Sequence, residues 1–403
     1  MIPILAWVQD SPEKLDIVRK FIRSLDEGSL DLLGFGKIND KFAEYFFPGI
    51  STIMTRGRYY IFVPSVCLKV ESEGMFSGKE AKDKIEEYED KICELLLQNG
   101  ESEGVIGRYV GSAVVSHPSD TYWGSLRTLG IFNSNYSKSQ YCTALRSLRL
   151  RREEYNNQEQ EGEGIQENFW DRSIGEAIRI DISHPKSITL RITQNEAEYL
   201  KNKFEIHDEE INPSLAVWLL QKETPFSLNL TWEQLSKNVK QSTSIDPKLK
   251  YQIRLAVRFR FLAQLIEQLY YVFLCKEKWG DGSSKYSQAI ELLVESSTST
   301  TLRDYLEKSN TWLEEATEGD PFFPQIVQEV LRYKINPDQL IKSQLLWERI
   351  VDRERDKKGP KARLSHKDVL DKWTTENPQG NFPDFRRARG LQIIADIREG
   401  LYA

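Results

Sequence analysis

Between Pro247 and Gly280 the chain runs without a helix breaker, and this stretch restricts the fold more than any other. Leu255, Phe259, Leu262, Ile266, Leu269 and Phe273 recur at alternating spacings of four and three, and the flank Ile253, Val257, Phe261, Leu265 is apolar as well. A helix that is apolar on two faces must be packed on several sides, so the pattern predicts a central helix wrapped by others. Arg254, Arg258, Arg260 and Glu267 stand within the same stretch and keep it from crossing a bilayer. The expected fold class is therefore mainly α.

The rest of the chain is read around that helix. A length of 403 residues suggests two domains. Ser11-Pro12-Glu13 is a helix start, with Leu15, Val18, Ile22 and Leu25 on one face and Gly28 as its end. Further helices are expected at Lys37–Phe47, Glu80–Gln98 and Ser137–Arg152, and later at Ser343–Asp356, His366–Trp373 and Asp384–Gly400. The stretch STIMTRGRYYIFVPSV is dense in β-branched and aromatic residues, and periodicity does not decide between a buried strand and a buried helix. The run EEYNNQEQEGEG is acidic and nearly free of apolar residues, which reads as a linker. The expected division is an N-terminal α(+β) domain over 1–152, a Glu-rich linker over 153–168 and a helical C-terminal domain over 169–403.

Composition narrows the function classes. With 61 acidic and 55 basic residues the net charge is −6, which excludes a globally basic nucleic-acid binder but not a local basic face. Cys67, Cys93, Cys142 and Cys275 never approach C-x-x-C spacing, so free thiols of a reducing compartment are expected. The start MIPILAWVQDSPEK lacks a basic n-region, and the expected location is cytoplasmic, with no membrane partner.

Catalytic patterns are sparse. His117, His184, His207 and His366 have no second ligand at metal spacing, so neither a metal nor another cofactor is expected. No phosphate-binding loop is present, and Gly34-Phe-Gly36 lacks the third glycine of a dinucleotide loop. His184-Pro-Lys186 opens a phospholipase-D-type signature, but Arg191 stands where its Asp belongs. The acid-x-Lys triplets at Glu80/Lys82, Glu89/Lys91, Asp246/Lys248 and Asp356/Lys358 are read as solvated charge. A nuclease with a cryptic metal site built from scattered acids stays as an alternative.

Charge segregation points to binding instead. From Thr121 to Arg152 there are six bases, Arg127, Lys138, Arg146, Arg149, Arg151 and Arg152, and no acid. Tyr122, Trp123, Phe132, Tyr136 and Tyr141 are interleaved with them. Bases with aromatics suggest a phosphate-binding face with a stacking platform, Tyr122 and Trp123 foremost. The competing account has these arginines neutralised by the glutamates that follow. The rhythm from Ser119 through Leu126 and Leu129-Gly130 also suggests a winged-helix-like element, whose second helix would enter a major groove or dock a protein. Arg56 and Arg58 in TRGRYYIF form a second basic site, or else pair with internal carboxylates. Arg353, Arg355, Lys357, Lys358, Lys361 and Arg363 interleave with Asp352, Glu354 and Asp356 as an exposed helix end, and Arg386, Arg387 and Arg389 form another basic group.

Several blocks together carry a resemblance: FPGISTIMTRGRYYIFVP, then IGRYVG and HPSDTYWGSLRTLGIF, and near the end KARL and FRRARGLQIIADIREGL. In these the chain resembles a prokaryotic family of unknown function. The resemblance implies a place in bacterial defence islands, beside helicases and phospholipase-D-like nucleases. It further implies a role as a non-enzymatic subunit or accessory of a multi-gene antiphage system, with a helicase or nuclease as protein partner. It supplies no catalytic residues. The expectation is a component that binds nucleic acid or a partner enzyme, with a pure protein–protein adaptor as the other alternative.

Overall fold

The computed structural model describes residues 33–74, 76–109, 114–157, 168–176, 180, 185–210, 213–297, 311–317, 319–374 and 383–403. The expected helix at 11–28 lies outside them, as do His184 and residues 158–167 of the expected linker. Among the described residues the chain is helical and forms no strand; its one β-type pairing is an isolated bridge between Phe132 and Trp170. The principal helices are α1 (Gly36–Phe46), α2 (Tyr59–Glu73), α3 (Gly78–Gln98), α4 (Pro118–Thr128), α5 (Lys138–Asn157), α6 (Gln194–Glu210) and α7 (Leu215–Leu220). They continue with α8 (Trp232–Gln241), α9 (Pro247–Trp279), α10 (Ser284–Ser297), α11 (Phe322–Arg332), α12 (Gln344–Lys358) and α13 (Arg387–Tyr402).

The chain divides into two compact units that do not follow the division expected at 153–168. One contains the described parts of 1–39 and 255–383, the other those of 40–254 and 384–403. A break in composition along the chain does not report which elements on either side of it pack together.

The unit containing 40–254 is built around α2, the stretch whose character the sequence left open. It is a helix with Tyr59 to Cys67 and Val70 all buried. Burial on every side removes the amphipathic period, which is why the sequence showed neither helix nor strand rhythm. Helices α3 and α4 pack on α2, and α5 packs along α3. Helix α13 lies on α6 and α7 in the same unit. Its Gly390 faces Phe47 so closely that an added Cβ would stand 2.3 Å from the ring, so this approach requires glycine.

In the other unit, Leu255, Phe259, Leu262, Ile266, Leu269 and Phe273 of α9 are all buried, as their spacing predicted. Phe259 meets Phe35 edge-on at 6.0 Å and Phe323 of α11 at 5.7 Å. Arg353 and Glu354 of α12 are buried too. Arg353 pairs with Asp320 at 2.7 Å and donates to the Leu33 carbonyl at 2.9 Å. Glu354 accepts from Tyr270 and from the Arg363 and Leu364 amides.

Candidate functional site

Two of the expected sites lie in the unit containing 40–254, and the structure takes them apart. The Thr55–Arg58 turn is held from within. Tyr122 Oη accepts from the Thr55 and Arg56 amides at 3.0 and 3.1 Å. Arg56 Nε lies 2.9 Å from Asp396 of α13, whose carboxylate also accepts from the Gly57 amide at 2.7 Å. Arg58 is buried and grips Glu196 through Nη2 at 3.0 Å and Nε at 3.1 Å, while Nη1 donates to the Thr189 carbonyl at 2.8 Å. Glu196 is itself fixed by a box at the start of α6, its Oε2 accepting from the Thr193 amide at 2.8 Å. The second basic site is therefore a pair of internal ion pairs that joins the turn before α2 to α6 and α13.

The acid-free stretch divides by exposure. Arg127 and Arg146 are exposed, on α4 and α5. Arg149, Arg151 and Arg152 are on α5, and their side chains lie outside the described set. Lys138 is buried, 2.8 Å from Asp120 and 3.3 Å from Glu86. Tyr122 and Trp123, expected to stack on bases, are core residues. Trp123 packs on Phe132, Tyr141 and Trp170 with centroids 4.7, 5.4 and 5.8 Å away, and its indole donates to the Tyr136 carbonyl. Of the five interleaved aromatics only Tyr136 is exposed, so no stacking platform is formed by them. The helix pair lacks a β-wing among the described residues. Arg127 borders an open cleft of about 630 Å³, together with Thr128, Asn133, Ser134 and Asn135.

The remaining basic groups divide between exposed surface pairs and contacts that tie segments together. Arg355 pairs with Asp352, and Lys357 with Asp356 at 2.9 Å. Arg386 reaches Asp40 at 3.1 Å and Glu44 at 3.2 Å, and Arg387 donates to the Leu230 carbonyl at 2.6 Å. Lys186 is exposed in a short turn, and Arg191 is exposed with its Nε 3.6 Å from Glu399.

Sequence reasoning missed a polar cluster among the described residues. Glu86, Glu89 and Asp90 project from one face of α3, because positions three and four apart share a helical face. His117, Ser119 and Asp120 come from the start of α4, and Lys138 from the start of α5. Glu89, whose triplet with Lys91 suggested solvated charge, is 3% exposed and accepts from Ser119 through both oxygens, from the amide at 2.6 Å and the hydroxyl at 2.9 Å. Burial drives the Glu89 carboxyl up to about 8, against the pull of Lys138 and the two Ser119 hydrogen bonds. Lys138 is held above its usual value despite burial, by its hydrogen bond to Asp120 and the charges of Glu89, Asp120 and Glu86. Oxygens of Glu86 and Asp120 and a ring nitrogen of His117 all lie within 4.8 Å of one another. Asp90 is 3.3 Å from His117 Nε2. One sequence signal existed. Ala81, Ile85, Ile92 and Leu96 mark the buried stripe of α3, and Glu89 interrupts it at a stripe position.

The fold and cluster define a helical protein with a charged, partly buried site at the junction of α3, α4 and α5. Residues 2–156 match the profile of a family of unknown function, DUF6361. That span takes in the whole cluster and both arginines of the Thr55–Arg58 turn, but neither Glu196 nor Asp396. No curated protein and no solved structure matches the chain.

Proposed function

We propose that this chain is a binding component that engages the phosphate backbone of nucleic acid through the exposed bases of α4 and α5. The observation that carries this reading is the segregation of charge: no acid occurs from Thr121 to Arg152, while Arg127 and Arg146 reach solvent from that stretch. Lys138 and the buried aromatics take no part, which leaves electrostatic contact without stacking. Such binding is indifferent to sequence and steep in salt. The resemblance read in the sequence adds the setting, a non-enzymatic component of a multi-gene antiphage system that works beside a helicase or nuclease.

The test is a salt titration of the full chain against unrelated DNA duplexes and single strands. Removing one phosphate-binding base lowers the magnitude of the slope of log affinity against log salt by about 0.7–0.9. A folded Arg127→Ala/Arg146→Ala variant, which removes two such bases, is expected to have a slope shallower by about 1.4–1.8. Single strands are expected to bind no more tightly than duplexes. An unchanged slope in the folded variant overturns the reading and leaves a protein-docking face.

A further inference from the structure

The cluster at the start of α4 is more than a counter-ion set for Lys138. Glu86, Asp90 and Asp120 gather there with buried Glu89, and two ammonium groups answer them: Lys138 from inside, and Lys82 at 3.5 Å from Glu86. Into this group projects His117, 8% exposed, whose Nε2 is buried and makes no hydrogen bond. A buried ring nitrogen without a partner is costly unless it has a task. The Asp90 carboxylate stands 3.3 Å from that same nitrogen without hydrogen-bonding to it, and adds negative charge beside it.

We propose that Glu86, His117 and Asp120 bind a divalent first-row transition cation, with the Asp90 carboxylate adding negative charge beside the imidazole. Two carboxylates and one imidazole form a mixed oxygen and nitrogen set, which suits Zn²⁺ or Mn²⁺ better than Mg²⁺, a cation that prefers oxygen alone and keeps its waters. The three donors lie within 4.8 Å of one another. Coordination at about 2.0–2.2 Å needs donor separations near 3 Å, so modest side-chain rotations close the site. The Glu86 and Asp120 carboxylates that would ligate the cation are those against which the Lys138 ammonium lies. Cation and ammonium therefore compete, and the bound cation joins α3 to α4 at the point where α5 begins. This assignment is independent of the phosphate-binding reading, which uses other residues.

Calorimetric titration of the chelator-treated full chain with Mn²⁺, Zn²⁺ and Mg²⁺ tests it. One Mn²⁺ or Zn²⁺ per chain is expected, with Mg²⁺ at least about tenfold weaker. His117→Gln and Asp120→Asn are each expected to weaken binding by about tenfold or more, while Lys138→Met strengthens it by removing the competitor. Electron spin echo measurements on the Mn²⁺-loaded wild-type chain need no variant, and coupling to one imidazole nitrogen is expected. Absence of stoichiometric Mn²⁺ and Zn²⁺ binding overturns the assignment, as does bound Mn²⁺ without nitrogen coupling. Affinity unchanged in both folded ligand variants does the same.

Discussion

Replacing Glu89 with glutamine is expected to make the protein more stable, by an amount that grows with pH. The carboxyl titrates at about 8 in the folded chain against an ordinary value of 4.5, because burial penalises the charged form more than Lys138 and Ser119 relieve it. Folded and unfolded chains are both protonated at Glu89 below pH 4.5, so the residue adds no pH dependence there. Between 4.5 and about 8 the unfolded chain has released the proton and the folded chain has not. The folded state then holds more protons, and stability falls as pH rises. The slope is about 1.4 kcal/mol per pH unit, which gives about 3 kcal/mol by pH 7 and on the order of 5 kcal/mol once the folded carboxyl ionises. Glutamine removes this dependence and keeps the local bonding, since its carbonyl accepts from the Ser119 amide while its amide group faces the Ser119 hydroxyl. Urea unfolding of wild type and Glu89→Gln, in chelator buffer from pH 4 to 9, reads the difference directly. The two curves are expected to meet near pH 4 and separate towards pH 8. Parallel curves, or a variant that is the less stable at pH 8, refute the argument that Glu89 is carried uncharged.

Two other perturbations follow from the packing. Ile266→Ala in the buried stripe of α9 is expected to cost about 2–5 kcal/mol in urea unfolding; a loss within about 0.5 kcal/mol marks that helix as a surface. Arg58→Met strands Glu196 in the interior and is expected to cost about 3–5 kcal/mol, much of it recovered in the double variant with Glu196→Gln. Equal instability of the single and double variants contradicts an ion-pair role.

Helix α9 was legible because its information is local. A repeat of four and three over many residues has one helical reading, and the buried residues from Leu255 to Phe273 follow it. The helices at 78–98, 138–157 and 344–358 were legible for the same reason, within a few residues at their ends. Helix α2 was not, since a segment buried on all sides carries no period to read.

For the charged groups the sequence determined less. It showed that the stretch from Thr121 to Arg152 lacks acids, and that Arg56 and Arg58 flank a glycine beside a run of aromatics. It did not show that Tyr122, Trp123 and Lys138 face inward while Arg127 and Arg146 face out. That depends on which side of α4 and α5 meets the neighbouring helices. Tertiary structure alone decided the partners: Arg58 finds Glu196 and Arg56 finds Asp396 across 138 and 340 positions of chain. It alone also gathered Glu86 and Glu89 with His117, Asp120 and Lys138 from three helix starts and faces. A hydrophobic stripe is written into neighbouring residues because each turn of the helix repeats it. A charge's partner is set by where the backbone brings distant segments together, and no local pattern encodes that distance.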